Sequence, residues 1–330
     1  MKNPIWFLPI LVAGFGVAVL GPGDPEAAPA NPRTIVLCAP GYPGNTAQAQ
    51  PTMDAFARGL AKEAGWPEVS LSAIYYETAD GGLARFAQQD AAIAIVPLSF
   101  YLEYGVSPDT VPAGGPAKRK PSPPKAGIAF DPRLAVVQES GVEDVWSILA
   151  KKGMLDSADS LAGWELTGVP GYSPAFVSSV AFRDWGAIPK SARITFTPRI
   201  LTALRRAASG EKVAVIADKA QTDALPTLPF ASDLAVVTRS KPLPSSLVCV
   251  LGDRMGRADS GSLLLAMARL QTTPEGAGIL KAMRIARFAV IDPKAIEPLR
   301  AQFRKGQAAA TPPAAGSPPA AASQPAAASR

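Results

Sequence analysis

Between residues 34 and 291, short β-branched or apolar runs alternate with stretches whose apolar residues recur at helical spacing. "TIVLC" (34–38) precedes a segment in which Met53, Phe56, Ala57, Leu60, Ala61 and Ala64 form one continuous stripe, stopped by Gly65. "VSLSAIYY" reads as the next strand. Asp80 then stands as the cap of a helix through Leu83, Phe86 and Ala87, and "AIAIVPL" reads as a buried strand. The alternation continues through "RLAVVQ", a helix through Val145, Trp146 and Leu149, "WELTGV", a helix opening at Ser173, "RITFT", a helix through Leu201 and Leu204 ending at Gly210, and "VAVIA". "LAVVT" and "SLVCV" lead to helices near 260–271 and 274–283, the strand "RFAVI" and a last helix to about 304. Repeated strand–helix units make mostly parallel sheets with helices on both faces.

A single sheet of this many units would be large, and a Pro-rich stretch over 106–127 interrupts it early. The pattern therefore predicts an α/β chain of two lobes joined by a double crossover. Lobe 1 takes residues 31–138 plus 240–305, with 106–127 as a surface loop, and lobe 2 takes 139–239. Residues 306–330, "GQAAATPPAAGSPPAAASQPAAASR", lack the large apolar groups that would offset ordering entropy and read as a disordered tail.

The N-terminus carries an address. Residues 5–20, "IWFLPILVAGFGVAVL", form a short apolar run behind Lys2, and Ala28 and Ala30 are the small residues of a cleavage site, so residues 1–30 read as a secretory signal cleaved near Ala30. An uncleaved anchor is the competing reading, weakened by the shortness of the run and by Pro9, Gly14 and Gly16. Export would allow Cys38 and Cys249 to form a disulfide. Both sit in apolar strand-like runs, however, and can equally be small core residues. Removal of the leader leaves 32 basic and 25 acidic residues, a net +7 that suits small anions or an anionic surface. The one basic cluster, "KRKPSPPK" (118–125), lies in the Pro-rich stretch and reads as a solvated loop, not a nucleic-acid patch.

Catalysis finds little support. "GYSPA" places Ser173 between a strand and a helix as a nucleophile elbow does, but Ala175 stands where the second glycine is needed and the chain has no histidine. Two isolated cysteines and no dense acidic loop argue against a metal site, and no Gly-rich phosphate loop follows a strand. The chain thus reads as a non-enzyme without cofactor. Ser173, followed by Pro174 at the first helical position, is either an ordinary helix cap or part of a cradle for a polar group. A helix end contributes about 1 kcal/mol, whereas micromolar affinity needs about 8, so several donors from both lobes would have to converge.

Several clauses together resemble the periplasmic phosphate/phosphite/phosphonate-binding proteins of ABC transporters. They are "VPLSFYLEYG", "DSLAGWEL", "ITFTPRILTALRRAASGEKVAVIAD", "LAVVTRSKPLP" and "LLLAMARLQTTPEGAGILKAMRIARFAVID", spread from about Ile35 to Leu299. The resemblance implies the two-lobed type II solute-binding fold, a central cleft with two hinge crossovers, a small phosphate- or phosphonate-like ligand captured by hinge closure, a membrane permease as partner, a monomer and a periplasmic location. Ser99 and Ser173 match family positions directly. The ligand clauses depart from the family pattern elsewhere: Val96 replaces a glycine, Phe100 a tyrosine, Ile200 a histidine, and Val213 an aspartate. Tyr42, Tyr75 and Tyr76 lie at strand ends, where ligands of open α/β sheets bind. Tyr75 and Tyr76 face opposite ways, so one of the two belongs to the core. Arg199 and Asp218 are candidates on their chemistry, an anion partner and an amine or hydroxyl partner. Thr78, Tyr101 and Tyr172, neighbours of these positions, complete the candidate set. The alternative is a receptor-like sensor or protein-interaction module that has lost transport, its tail serving as a tether.

Overall fold

The computed structural model describes residues 32–42, 44–106, 128–139, 141 and 143–310. The expected leader and cleavage site, nearly all of the Pro-rich loop and the tail beyond 310 lie outside the described residues.

The chain opens with β1 (Arg33–Cys38), α1 (Thr46–Ala64), β2 (Leu71–Tyr76), α2 (Ala79–Phe86), β3 (Ala91–Pro97), α3 (Leu98–Tyr104), β4 (Gly105–Val106) and β5 (Ile128–Gln138). The stripe read from sequence is the buried face of α1: Met53, Phe56, Ala57, Leu60 and Ala61 are buried, Asn45 accepts from Gln48 N at the start, and Gly65 closes the end at φ 72°. α2 is capped by Thr78, whose Oγ1 accepts from Gly81 N, and not by Asp80, which sits in the first turn.

A short strand, β6 (Glu143–Asp144), leads to β7 (Ser147–Lys151), β8 (Glu165–Gly168), α4 (Pro174–Phe176) continued as a wider helical turn over 177–181, β9 (Arg193–Phe196), α5 (Ile200–Ser209), β10 (Val213–Ala217), α6 (Lys219–Ala224) and β11 (Leu234–Arg239). The helix expected through Val145, Trp146 and Leu149 is instead β7. That strand is central, pairing antiparallel with both β10 and β11, and its first four residues are all buried. A strand covered on both faces has no period-2 alternation to separate it from a buried helix. The chain then returns through β12 (Leu243–Pro244), β13 (Ser246–Leu251), α7 (Arg257–Arg269), α8 (Pro274–Ala282), β14 (Ile285–Val290) and α9 (Glu297–Ala310).

Two sheets result. The larger has the order β14-β5-β13-β3-β1-β2, with β4 paired to β5, and the smaller the order β11-β7-β10-β8-β9. Pairing is parallel among β1, β2 and β3 and among β8, β9 and β10. It is antiparallel where β13 enters beside β3 and where β7 lies beside β10. Both connections between the sheets pass through one small ladder, in which β6 pairs antiparallel with β12 (Leu243 opposite Asp144).

The core differs from two separate halves. One apolar cluster covers the outer face of the larger sheet under α1, α7 and α8, and another lies under α5 behind the smaller sheet. Between them a single cluster is shared: Val36 and Phe130 of the larger sheet, with Phe86 of α2 and Phe100 of α3, continue through Trp146 and Leu243 at the crossovers to Ile148, Leu166 and Phe176. The last helix reinforces this. Arg300 of α9 donates to the Tyr101 hydroxyl and lies 4.7 Å from that ring, Phe303 is buried in the shared cluster, and Gln302 Nε2 donates to the Ser179 carbonyl.

Cys38 and Cys249 are free and fully buried. The register explains why they do not pair. Val36 and Cys249 both face Ala94 from opposite sides of β3, so Cys249 is two strand spacings, about 9.6 Å, from β1, beyond the reach of a disulfide.

Candidate functional site

The carboxyl ends of β1, β2, β3, β8, β9 and β10 deliver their following segments to the junction between the sheets. From the larger sheet, β1 ends in the turn Ala39–Tyr42. Gly41 there has φ 82°, and a Cβ on it would lie 2.7 Å from the Phe196 ring and 3.2 Å from Val169 Cγ1, so the two sheets' loops touch at this point. Tyr75 donates from its hydroxyl to the carbonyls of Ala39 and Tyr42, each at 3.4 Å, which fixes the turn. β3 runs directly into α3, and Ser99 in its first turn is buried at 4 % exposure.

From the smaller sheet, β8 ends at Gly168, and residues 169–172 make one tight turn. Gly171 is required here because a Cβ would stand 2.0 Å from the Thr195 carbonyl oxygen. The turn presents Tyr172 and Ser173 to the larger sheet. The Tyr172 hydroxyl and Ser99 Oγ are 2.7 Å apart, and Ser173 Oγ donates to Glu103 Oε2 at 2.6 Å. Ser173, with 0 % exposure, makes no side-chain cap to its own helix. Its hydroxyl is spent across the junction. The Tyr172 ring also meets Phe196 edge-on at 6.3 Å.

Asp218 follows β10 and caps α6 in a reciprocal box: its carboxylate accepts from Gln221 N, and Gln221 Oε1 accepts from Asp218 N. Buried Asp144 of the crossover accepts from Lys219 N at 3.0 Å. Burial, with Asp144 as a like-charged neighbour, pushes Asp218 up to about 6 against the pull of backbone donors. Burial likewise raises Asp144. Both carboxylates act on Tyr42, whose hydroxyl is raised first by burial and then by their charge, and burial also raises Tyr172. Tyr75 is pushed up to about 12 by burial and by Glu77.

Of the sequence candidates, the structure thus gathers Tyr42, Tyr75, Ser99, Tyr172, Ser173 and Asp218 at the junction. The others lie apart from that set of contacts. Tyr76 packs beside Gly81 of α2, Thr78 caps that helix, and Tyr101 is buried against Arg300. Arg199 is exposed, in a groove of about 210 Å³ with Thr197, Thr202, Phe196 and Arg206. Sequence reading missed Glu103, Asp144, Gly41 and Phe196. Only Glu103 left a signal: four residues after Ser99, it shares that residue's face of α3. The junction is closed over by tyrosine, phenylalanine and a carboxylate. Among the described residues no group of three or more histidine, cysteine or acidic side chains is placed to hold a metal. None of the described helices is long and apolar enough to cross a membrane.

No protein-family model matches the chain, and no curated protein is detectably similar in sequence. Solved structures, in contrast, match over most of its length. XAC2383 of Xanthomonas citri, bound to chloride ion, superposes with a TM-score of 0.62 at 12% identity, over 84% of this chain and 99% of that one. A binding-protein component of an ABC phosphonate transporter from Pseudomonas aeruginosa gives a TM-score of 0.55 at 14% identity, over 85% and 90%. PhnD1 of Prochlorococcus marinus, in complex with methylphosphonate, gives 0.54 at 15% identity, over 83% and 98%. The fold is therefore the two-lobed type II solute-binding fold. Identities this low establish the architecture and leave the ligand to the site's own chemistry.

Proposed function

We propose that the chain is an exported solute receptor whose lobes, residues 31–138 plus 240–305 and residues 139–239, bind a small molecule at their junction and present it to a membrane permease. The observation that carries this reading is the convergence of strand-end residues from both sheets: Tyr42, Ser99, Tyr172, Ser173 and Asp218 meet where ligands of open α/β sheets bind. Hinge closure about the β6–β12 ladder supplies the mechanism, because contacts made across the junction exist only in the closed form. The leader, if cleaved near Ala30, places the receptor in the periplasm. The phosphate- or phosphonate-like ligand that the sequence resemblance implies meets an obstacle in the carboxylates of Glu103, Asp144 and Asp218. The screen that tests the reading therefore spans oxyanions, amino acids and organic amines.

A thermal-shift screen of the mature protein is expected to give at least one hit, since a ligand at 100 times its dissociation constant adds about 2.7 kcal/mol. No shift from any of these classes would refute solute capture. One observation favours a second reading, a sensor or interaction module that has lost transport: the position a solute would take beside Ser173 holds Glu103. A permease and an ATPase encoded beside the gene would speak for uptake, and a kinase or secretion component for the module.

A further inference from the structure

Resting on the receptor reading above, we infer that Glu103 is an intramolecular ligand, a latch that closes the junction without solute and with which any solute must compete. Three features combine in it. Ser173, completely buried, gives its hydroxyl to a carboxylate of the opposite lobe at 2.6 Å and to nothing in its own helix. That is the short, charge-assisted kind of hydrogen bond, stronger than a neutral pair. A parallel bridge, Tyr172 hydroxyl to Ser99 Oγ at 2.7 Å, runs beside it from the same turn to the same helix. The turn itself is closely packed, since a Cβ on Gly171 would stand 2.0 Å from the Thr195 carbonyl oxygen.

The geometry distinguishes a latch from ordinary packing. Both bridges join the segment after β3 to the segment after β8, one from each sheet, which separate when a two-lobed receptor opens about its crossovers. Opening would leave Ser173 and Glu103 to water and part the apolar cluster that the two sheets share, while leaving each sheet's own ladder intact. A solute carrying an acidic group would have to displace a carboxylate already in place. A solute without one would have to bind while the latch stays shut, or break it by contacts elsewhere. Glu103 thereby sets both the resting state and the selectivity of the site.

Amide hydrogen exchange of the mature protein tests this, comparing wild type with Glu103→Ala, Ser173→Ala and the double variant. Each single variant is expected to speed exchange at amides of residues 98–104 and 170–177 by at least tenfold, with the double variant no faster than the quicker single, as befits two halves of one contact. Glu103→Gln, which keeps an acceptor oxygen, should fall between. Far-ultraviolet circular dichroism identical to wild type shows that the variants fold. Unchanged exchange in Glu103→Ala, or effects of the two single variants that multiply, overturns the latch. The same variants enter the solute screen, with sodium acetate and inorganic phosphate as probes. A variant that exchanges faster yet binds nothing in the screen upholds the latch and tells against the receptor reading, so the two failures are separable.

Discussion

Replacing Asp218 with asparagine should stabilise the protein at neutral pH, by an amount that disappears in acid. The substitution keeps the helix cap, because asparagine and aspartate are about equal at that position. It removes a negative charge that burial and Asp144 disfavour. Folding raises the Asp218 carboxyl from its ordinary 3.8 to about 6, so between those values the folded state holds more protons than the unfolded chain and stability falls as pH rises. The interval, at ~1.36 kcal/mol per pH unit, amounts to about 3 kcal/mol of destabilisation, complete above about pH 7. The variant recovers that amount at about pH 7.5 and only about 0.5 kcal/mol at about pH 4, where the group is largely protonated in the folded state and about half protonated in the unfolded chain. Urea denaturation of both proteins at the two pH values measures the difference through the midpoint and slope. A gain of equal size at both pH values, or a loss at neutral pH, would refute the assignment of a strained, buried charge.

Asp90 carries the opposite sign. Hydrogen bonding to Arg85, aided by Thr34 and opposed by burial, holds it down to about 2. Its contribution is therefore full above about pH 4 and lost as pH falls through about 2; because the side chain is about a third exposed, Asp90→Asn should cost only about 1 kcal/mol at neutral pH, read from urea midpoints. Gly171→Ala forces a Cβ to within 2.0 Å of the Thr195 oxygen and should lower stability by about 1–3 kcal/mol, visible as a reduced urea midpoint at unchanged slope. Cys38 and Cys249 should resist maleimide labelling until the chain unfolds, since both are fully buried and burial pushes the Cys38 thiol up to about 12; labelling of the native protein within minutes would contradict this.

Element by element, the sequence was informative wherever a local period existed. α1 shows its buried stripe and its Gly65 stop, and α5 ends at Gly210 as the glycine implied. β7 could not be read, because a strand buried on both faces offers one unbroken apolar run. The site was legible in part for a similar reason. Ser99, Tyr172 and Ser173 lie just beyond strand ends, a position that sequence can locate. Glu103 looked like one more acid on a short helix, and Phe196 like the end of an edge strand. Nothing local to either residue says that the other sheet stands opposite.

The alternation of strands and helices and the lack of histidine were settled by the sequence alone, because each depends on composition or on neighbours a few positions away. The tertiary structure decided that the two sheets share a middle core, that the cysteines stay apart by two strands, and that a carboxylate fills the place beside Ser173. Those outcomes depend on pairs far apart in the chain, such as Ser173 with Glu103 at 70 residues and Ser99 with Tyr172 at 73. Such pairs meet only after both sheets have formed and the crossovers have set their separation, and no local spacing encodes that distance.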